Sequence, residues 1–309
     1  MNEHTNRKLD FFILGAQKAG SSWLANRLRT HDQLFMPKDE LYFFDVQRNY
    51  ERGINWYLSH FRGAQPHQLL GEKTPSMYVV RGDQSVQPIP RRLADHNPDL
   101  QFFVVLRNPI QRTQSALLHH IWNGRLPANA SPFDLLFGEH ADKARNFGIL
   151  EQGLYYKQLT PFLDIFPIER FRFYIFERDV MLSPEATLAD AEAFLGVEQG
   201  GCDTGGHQQK RNRSIQSKAA LRWNARIPSL SYLWQIYDRL NPNGEKFCLD
   251  QNIKHELYNF FYHDIRQLEN RLGVDLYHWG PDPRIDNPSP QTGAHDVNGS
   301  TQSDSAEYG

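Results

Sequence analysis

Lys18 lies inside a short loop bounded by glycines, in the sequence FFILGAQKAGSSW of residues 11–23. Gly15 and Gly20 keep the spacing of the phosphate-binding pattern G-x-x-x-x-G-K-[ST], in which backbone N–H groups and a helix N-terminus surround an anion. That pattern places its lysine directly before the Ser/Thr, to serve a β- or γ-phosphate. Here the lysine has moved into the loop, ahead of Gly20 and the hydroxyls of Ser21 and Ser22. A second set is RNPIQRTQS, Arg107 to Ser115. Arg107 ends an apolar run, where a charge without a partner is costly. Ser115 falls two helical turns later, on the side turned back toward the strand end, so an arginine and a hydroxyl converge as they would on a second phosphate. A third feature is a stretch without acids: Thr204 to Tyr237 holds no Asp or Glu, whereas Lys210, Arg211, Arg213, Lys218, Arg222 and Arg226 are basic. A solvated helix face normally mixes signs, so this stretch is expected to cover a polyanion. The three sets together describe a site for a nucleotide phosphorylated at two separated places.

Apolar runs that lead into helical patterns fix where these groups must stand. FFILG (11–15) precedes SSWLANRLRT, where Ser21 or Ser22 can start a helix. QFFVVLR (101–107) precedes NPIQRTQSALLHHIW, with Asn108 as N-cap and Pro109 at the first helical position, both favoured there. FRFYIFE (171–177) precedes SPEATLADAEAFLG, capped by Ser183 and ended by Gly196. LLGEKTP (69–75) reads as a weaker fourth strand. Strands alternating with helices predict an α/β fold, a P-loop-like parallel sheet flanked by helices. Ligands of such sheets sit at the carboxyl ends of the strands. The C-terminal third reads as helical through PSLSYLWQIYDRL and QNIKHELYNFFYHDIRQLENRLG, whose apolar residues recur at three and four. After Trp279 the chain is rich in Pro, Ser, Asn and Asp, with little to bury. The expected organisation is a flexible N-terminus (1–9), one domain (10–280) and a disordered tail (281–309).

Bulk properties narrow the class. The 309 residues carry 34 basic and 36 acidic side chains, so no global field recruits nucleic acid. Two cysteines, Cys202 and Cys248, make neither a disulfide framework nor a metal centre. His119 and His120 have no third ligand at a usable spacing and are expected to be structural. With neither a signal peptide nor a membrane span in the sequence, a soluble, cytoplasmic protein is expected.

The same residues resemble a known family. GAQKAGSSW with RNPIQRTQS is similar to the 5′- and 3′-phosphate-binding motifs of the sulfotransferases that use 3′-phosphoadenosine 5′-phosphosulfate (PAPS). The likeness is greatest to the heparan sulfate branch, the glucosaminyl 3-O- and N-sulfotransferases, through KDELYFFD, INWYLSHF and PHQLLGEKTP. The resemblance implies PAPS as co-substrate, 3′,5′-ADP as product, and no metal. It implies that Gln17, Lys18, Ala19, Gly20, Ser21 and Ser22 hold the 5′-phosphate and that Arg107 and Ser115 hold the 3′-phosphate. Lys210, Arg211 and Arg213 stand where the family's last cofactor loop lies, and Trp23 stands where an aromatic stacks on adenine in the cytosolic small-molecule enzymes. Lys18 would meet the oxygen bridging phosphorus and sulfur, where charge develops as the S–O bond breaks. Glu40 matches the general base, Lys73 a second active-site lysine, and Asp45 an acid beside the acceptor. Tyr42 departs from the histidine often found at its place in the acceptor site. The implied acceptor is a hydroxyl, less readily an amine, of a saccharide or glycolipid. A small phenolic or lipid alcohol is the alternative suggested by Trp23. A nucleotide kinase or NTPase would need a lysine beside Ser21 and a magnesium-holding acid at a strand end.

Overall fold

Five parallel strands form one sheet: β1 (Phe11–Gly15), β2 (Leu34–Phe35), β3 (Leu69–Lys73), β4 (Gln101–Leu106) and β5 (Phe171–Ile175), in the spatial order β2-β3-β1-β4-β5. These belong to a computed structural model that describes residues 7–75, 88–204 and 215–280. The longer helices are α1 (Ser21–Leu28), α2 (Pro88–His96), α3 (Pro109–Trp122), α4 (Tyr155–Leu163), α5 (Pro184–Leu195), α6 (Lys218–Arg226), α7 (Ser231–Leu240) and α8 (Gln251–Leu272). The expected α/β architecture with a helical C-terminal third is therefore the observed one.

Side-chain alternation along the strands sorts the core into two layers. Phe12 and Leu14 of β1 join Phe102, Val104 and Leu106 of β4 beneath α3, α4 and α8. Phe11 and Ile13 join Phe103 and Val105 on the other face, beneath α1 and α5. Both faces are covered, which is why β1 and β4 read as unbroken apolar runs. Phe11 pairs in register with Gly71 of β3. A Cβ on Gly71 would stand 2.1 Å from the Phe11 ring, so the glycine is what lets that ring lie across the neighbouring strand.

The strand ends differ from expectation in instructive ways. β4 stops at Leu106 and releases Arg107. β5 stops at Ile175, where Asp179 accepts the Ile175 N–H at 2.5 Å and Phe176–Val180 winds into a single wide π turn closed by Met181 N–H on Phe176 C=O at 2.9 Å. Asn108 caps α3 as expected, accepting the N–H groups of Ile110 (3.0 Å) and Gln111 (3.3 Å). Ser183 occupies the N-cap position of α5 but its side chain makes no capping bond. Its carbonyl instead accepts the Thr187 hydroxyl at 3.0 Å. The chain is also tied down earlier than expected. Leu9, assigned to the flexible N-terminus, is fully buried; its N–H donates to His96 and its C=O accepts from Asn97 (both 2.9 Å). At the other end Trp279 is fully buried against Tyr155, and its carbonyl accepts from Asn108 at the start of α3. The tail 281–309 lies outside the described residues. Cys202 and Cys248 are both free thiols.

Candidate active site at the carboxyl edge of the sheet

The central strand β1 ends in the glycine loop. Ala16 N–H bonds to Val105 C=O (2.7 Å), which fastens the loop to β4, and Ala19 N–H turns back to Ala16 C=O (3.2 Å). The turn needs left-handed backbone at Lys18 (φ 65°) and at Gly20 (φ 108°). At Gly20 a Cβ would also stand 2.7 Å from the Phe176 ring, so a side chain is excluded on two grounds. No side chain caps α1, and its first N–H groups have no partner within the helix. Such an end, with the helix dipole behind it, attracts an anion. Ser21 is buried and bonds to Ala16 C=O (3.4 Å), so it braces the loop, whereas Ser22 is exposed.

Arg107, just past β4, reaches the same loop. Its Nη1 donates to Lys18 C=O (3.2 Å) and its guanidinium lies 4.8 Å from the centre of the Phe176 ring. Glu177, two residues past β5, approaches Arg107 Nε at 4.0 Å and accepts the Asn108 N–H at 3.1 Å. The buried Nε of Arg107 has no hydrogen-bond partner among the described residues. Burial lowers the Lys18 ammonium below the usual lysine value, and the nearby Arg107 cation lowers it further. Two cations held close together and incompletely neutralised, beside an uncapped helix, fit a phosphorylated donor.

β3 brings the second half of the site alongside. Lys73 Nζ lies 2.6 Å from Glu40 Oε1 and donates to Ser22 Oγ at 3.0 Å. Glu40 Oε2 accepts the Tyr42 hydroxyl at 2.5 Å. Tyr42 holds φ at 50°, rare for a residue with a Cβ and a common mark of functional backbone. Burial, then the bond to Glu40, raise its phenol well above the usual tyrosine value, so it stays a donor. One residue before Lys73, the fully buried Glu72 accepts from the Tyr57 hydroxyl (2.5 Å), the Thr74 hydroxyl (2.6 Å) and the Leu41 N–H. Burial pushes its carboxyl up to about 7. The half-buried Asp45 lies near enough to raise both Glu72 and Tyr42 further.

The structure thus brings together Lys18, Arg107 and Ser22 on one side, and Glu40, Tyr42 and Lys73 on the other. Ser115 is half-buried on α3. Trp23 packs against the α1–α5 layer with its buried Nε1 lacking a hydrogen-bond partner among the described residues. Lys210, Arg211 and Arg213 lie outside the described residues. His120 stacks on Phe147 at 4.5 Å, and burial pushes both His119 and His120 down to about 4. Lys18 and Arg125 are nearby cations that lower His119 further. Sequence reasoning missed Glu72 and Glu177. Each is an acid within or closing an apolar run of the sequence, the same signal that singled out Arg107.

A parallel sheet whose central strand opens into a glycine loop at a helix N-terminus defines a P-loop-like α/β protein. Residues 8–219 match the model of the sulfotransferase domain family, and the chain belongs to that family. It is 32% identical over 191 residues to heparan sulfate glucosamine 3-O-sulfotransferase 6 of Homo sapiens, covering 60% of this chain and 52% of that protein. To the Mus musculus protein of the same name it is 33% identical over 195 residues, with the same coverage of 60% and 52%. The chain therefore spans about half the length of the curated relatives it matches. A sulfotransferase from Alicyclobacillus acidocaldarius superposes with a TM-score of 0.66 at 22% identity, over 88% of this chain and 99% of that one, and shares the fold. Among the described residues no helix is long and apolar enough to cross a membrane.

Proposed function

We propose that the protein moves the sulfuryl group of PAPS to a hydroxyl of a saccharide or glycolipid, by in-line displacement with Glu40 as general base. Bound PAPS would supply the activated sulfuryl group and leave as 3′,5′-ADP. The open N-terminus of α1 and Lys18 hold negative charge at the 5′ side, and Arg107 with Ser115 holds it at the 3′ side. The loop residues Gln17, Ala19, Gly20, Ser21 and Ser22, with Trp23, Lys210, Arg211 and Arg213, complete that set by resemblance. Lys73 keeps an ammonium 2.6 Å from Glu40 and so fixes the position of the carboxylate that would act as base. The Tyr42 hydroxyl marks the place an acceptor O–H would take, since it already donates to Glu40 Oε2 at 2.5 Å. Asp45 lies beside this acceptor side.

The observation that carries this reading is Lys73, which touches both the Glu40 carboxylate (2.6 Å) and Ser22 of the anion loop (3.0 Å). Base and donor loop are thereby held within one side chain of each other. The test is transfer of label from PAPS to panels of oligosaccharides, glycolipids, phenols and sterols, with the parent and Glu40→Gln. Glu40→Gln is expected to keep 3′,5′-ADP affinity nearly intact in calorimetry while turnover falls at least ~100-fold. Unchanged turnover removes Glu40 from the mechanism. Label entering phenols or sterols but not sugars selects the small-alcohol acceptor instead, and magnesium-dependent ATP hydrolysis that survives Lys18→Ala selects an NTPase.

A further inference from the structure

α6 and α7 form a hairpin joined by the turn Pro228–Leu230. Trp223 and Trp234 stack between them with ring centres 5.7 Å and planes 18° apart, and Trp234 Nε1 donates to Ile227 C=O at 3.2 Å. α6 is anchored: Ala220 and Leu221 are buried, and Asn224 donates to Trp122 C=O at the end of α3 (2.7 Å). α7 is not anchored in this way, for none of its residues is buried. Leu230, Leu233, Tyr237 and Leu240 recur at three and four, so they line one face, and all are exposed, Leu240 by 79%. Trp223, Ile227 and Tyr232 are exposed as well. Single exposed apolar residues need no explanation, but a run of this size on one hairpin marks a contact surface.

The charges around it state the partner's sign. Asp238 is turned to the amides of Gln216 (3.1 Å) and Ser217 (2.7 Å), and Glu245 pairs with Lys218 at 2.6 Å. The acids of this region are thus engaged within the fold. Arg226, whose guanidinium lies 5.6 Å from the centre of the Trp223 ring, and Arg239 stay exposed, and Arg222, exposed as well, lies near Glu245. Indole and phenol rings lodge at the headgroup level of a bilayer, leucines reach the acyl boundary, and guanidinium groups meet lipid phosphates. A second copy of the chain suits this face less well, because a two-fold axis through the stripe would bring like-charged arginines together.

We propose that the α6–α7 hairpin docks the protein on an anionic membrane surface. The leucines of the stripe are not among the residues assigned to transfer, and Arg222 and Arg226, which lie in the basic stretch 204–237, are tested only for vesicle binding, so the inference stands or falls apart from the acceptor reading. The experiment is co-sedimentation of the full chain with vesicles of phosphatidylcholine alone or mixed with phosphatidylglycerol, at low and high salt. The parent is expected to pellet with the anionic vesicles, with retention falling as salt rises. Leu233→Ser/Leu240→Ser should weaken that binding at least ~10-fold while leaving transfer to a soluble acceptor unchanged. Arg222→Glu/Arg226→Glu should abolish the preference for phosphatidylglycerol. Circular dichroism of each variant confirms that the fold is kept. Failure of the parent to pellet, or binding unaffected by both double substitutions, overturns the proposal. So does a concentration-dependent dimer in ultracentrifugation that Leu233→Ser/Leu240→Ser dissolves, which would assign the stripe to a second copy.

Discussion

Replacing Glu72 by glutamine tests how the sheet manages a carboxyl with no access to water. Burial is the dominant cause of its raised pKa, ahead of the opposing bonds from Thr74 and Tyr57, and carries it from 4.5 to about 7. At ~1.4 kcal/mol per pKa unit, that interval is worth about 3 kcal/mol in favour of the neutral acid. The sign follows from proton linkage. The folded chain binds this proton more tightly than the unfolded chain, so its contribution is complete below the unfolded value of 4.5 and is lost as pH rises through about 7. Glutamine keeps the shape, can accept from Tyr57 and donate to Thr74, and does not titrate. Urea denaturation of parent and Glu72→Gln should therefore show the variant gaining about 3 kcal/mol relative to the parent between about pH 4.5 and about pH 8. Taking the difference between the two proteins cancels the titrating groups that are not coupled to Glu72, and Asp45 is the coupled acid to watch. Curves that stay parallel across this range would refute the claim that a buried, neutral carboxyl sits beneath the Lys73 end of β3.

Two substitutions probe the site itself. Tyr42→Phe removes the hydroxyl bonded to Glu40; acceptor KM should fall several-fold, as expected for releasing a competing bond of about 1 kcal/mol, with 3′,5′-ADP affinity unchanged. A higher KM would show instead that Tyr42 holds the acceptor. Arg107→Ala should weaken 3′,5′-ADP by about 10- to 100-fold, the range for a lost hydrogen bond to a charged group, and should leave 5′-AMP nearly unaffected in calorimetry. Equal losses for both nucleotides would remove Arg107 from the 3′-phosphate.

The sequence revealed the elements better than their ends. β1 is readable because a strand covered on both faces has no polar interruption, and α3 because Asn108 and Pro109 announce it. β2 is not readable: its two residues, Leu34 and Phe35, carry no periodicity and gain strand geometry only by pairing with Leu69 and Leu70. The early end of β5 is marked by one side chain, Asp179, folding back on Ile175. The anion loop and Arg107 were legible from glycine spacing and from a charge closing an apolar run. The meeting of Glu40 with Lys73 was not, because their separation along the chain says nothing until β3 pairs with β1. Only the resemblance joined them beforehand. The bonds that Glu72 accepts from Tyr57 and from the Leu41 amide were invisible for the same reason.

Lys73 is a single ammonium answering to two neighbours, the Ser22 oxygen and the Glu40 carboxylate. Its three N–H donors leave one over, so an anion reaching it from the loop side can bind without displacing either hold, but must share the same positive charge. An anion that draws on this nitrogen from the loop side therefore changes how strongly the carboxylate is held. Thermodynamic reciprocity then requires that a ligand gripping Glu40 alter the loop's hold on its anion by the same factor.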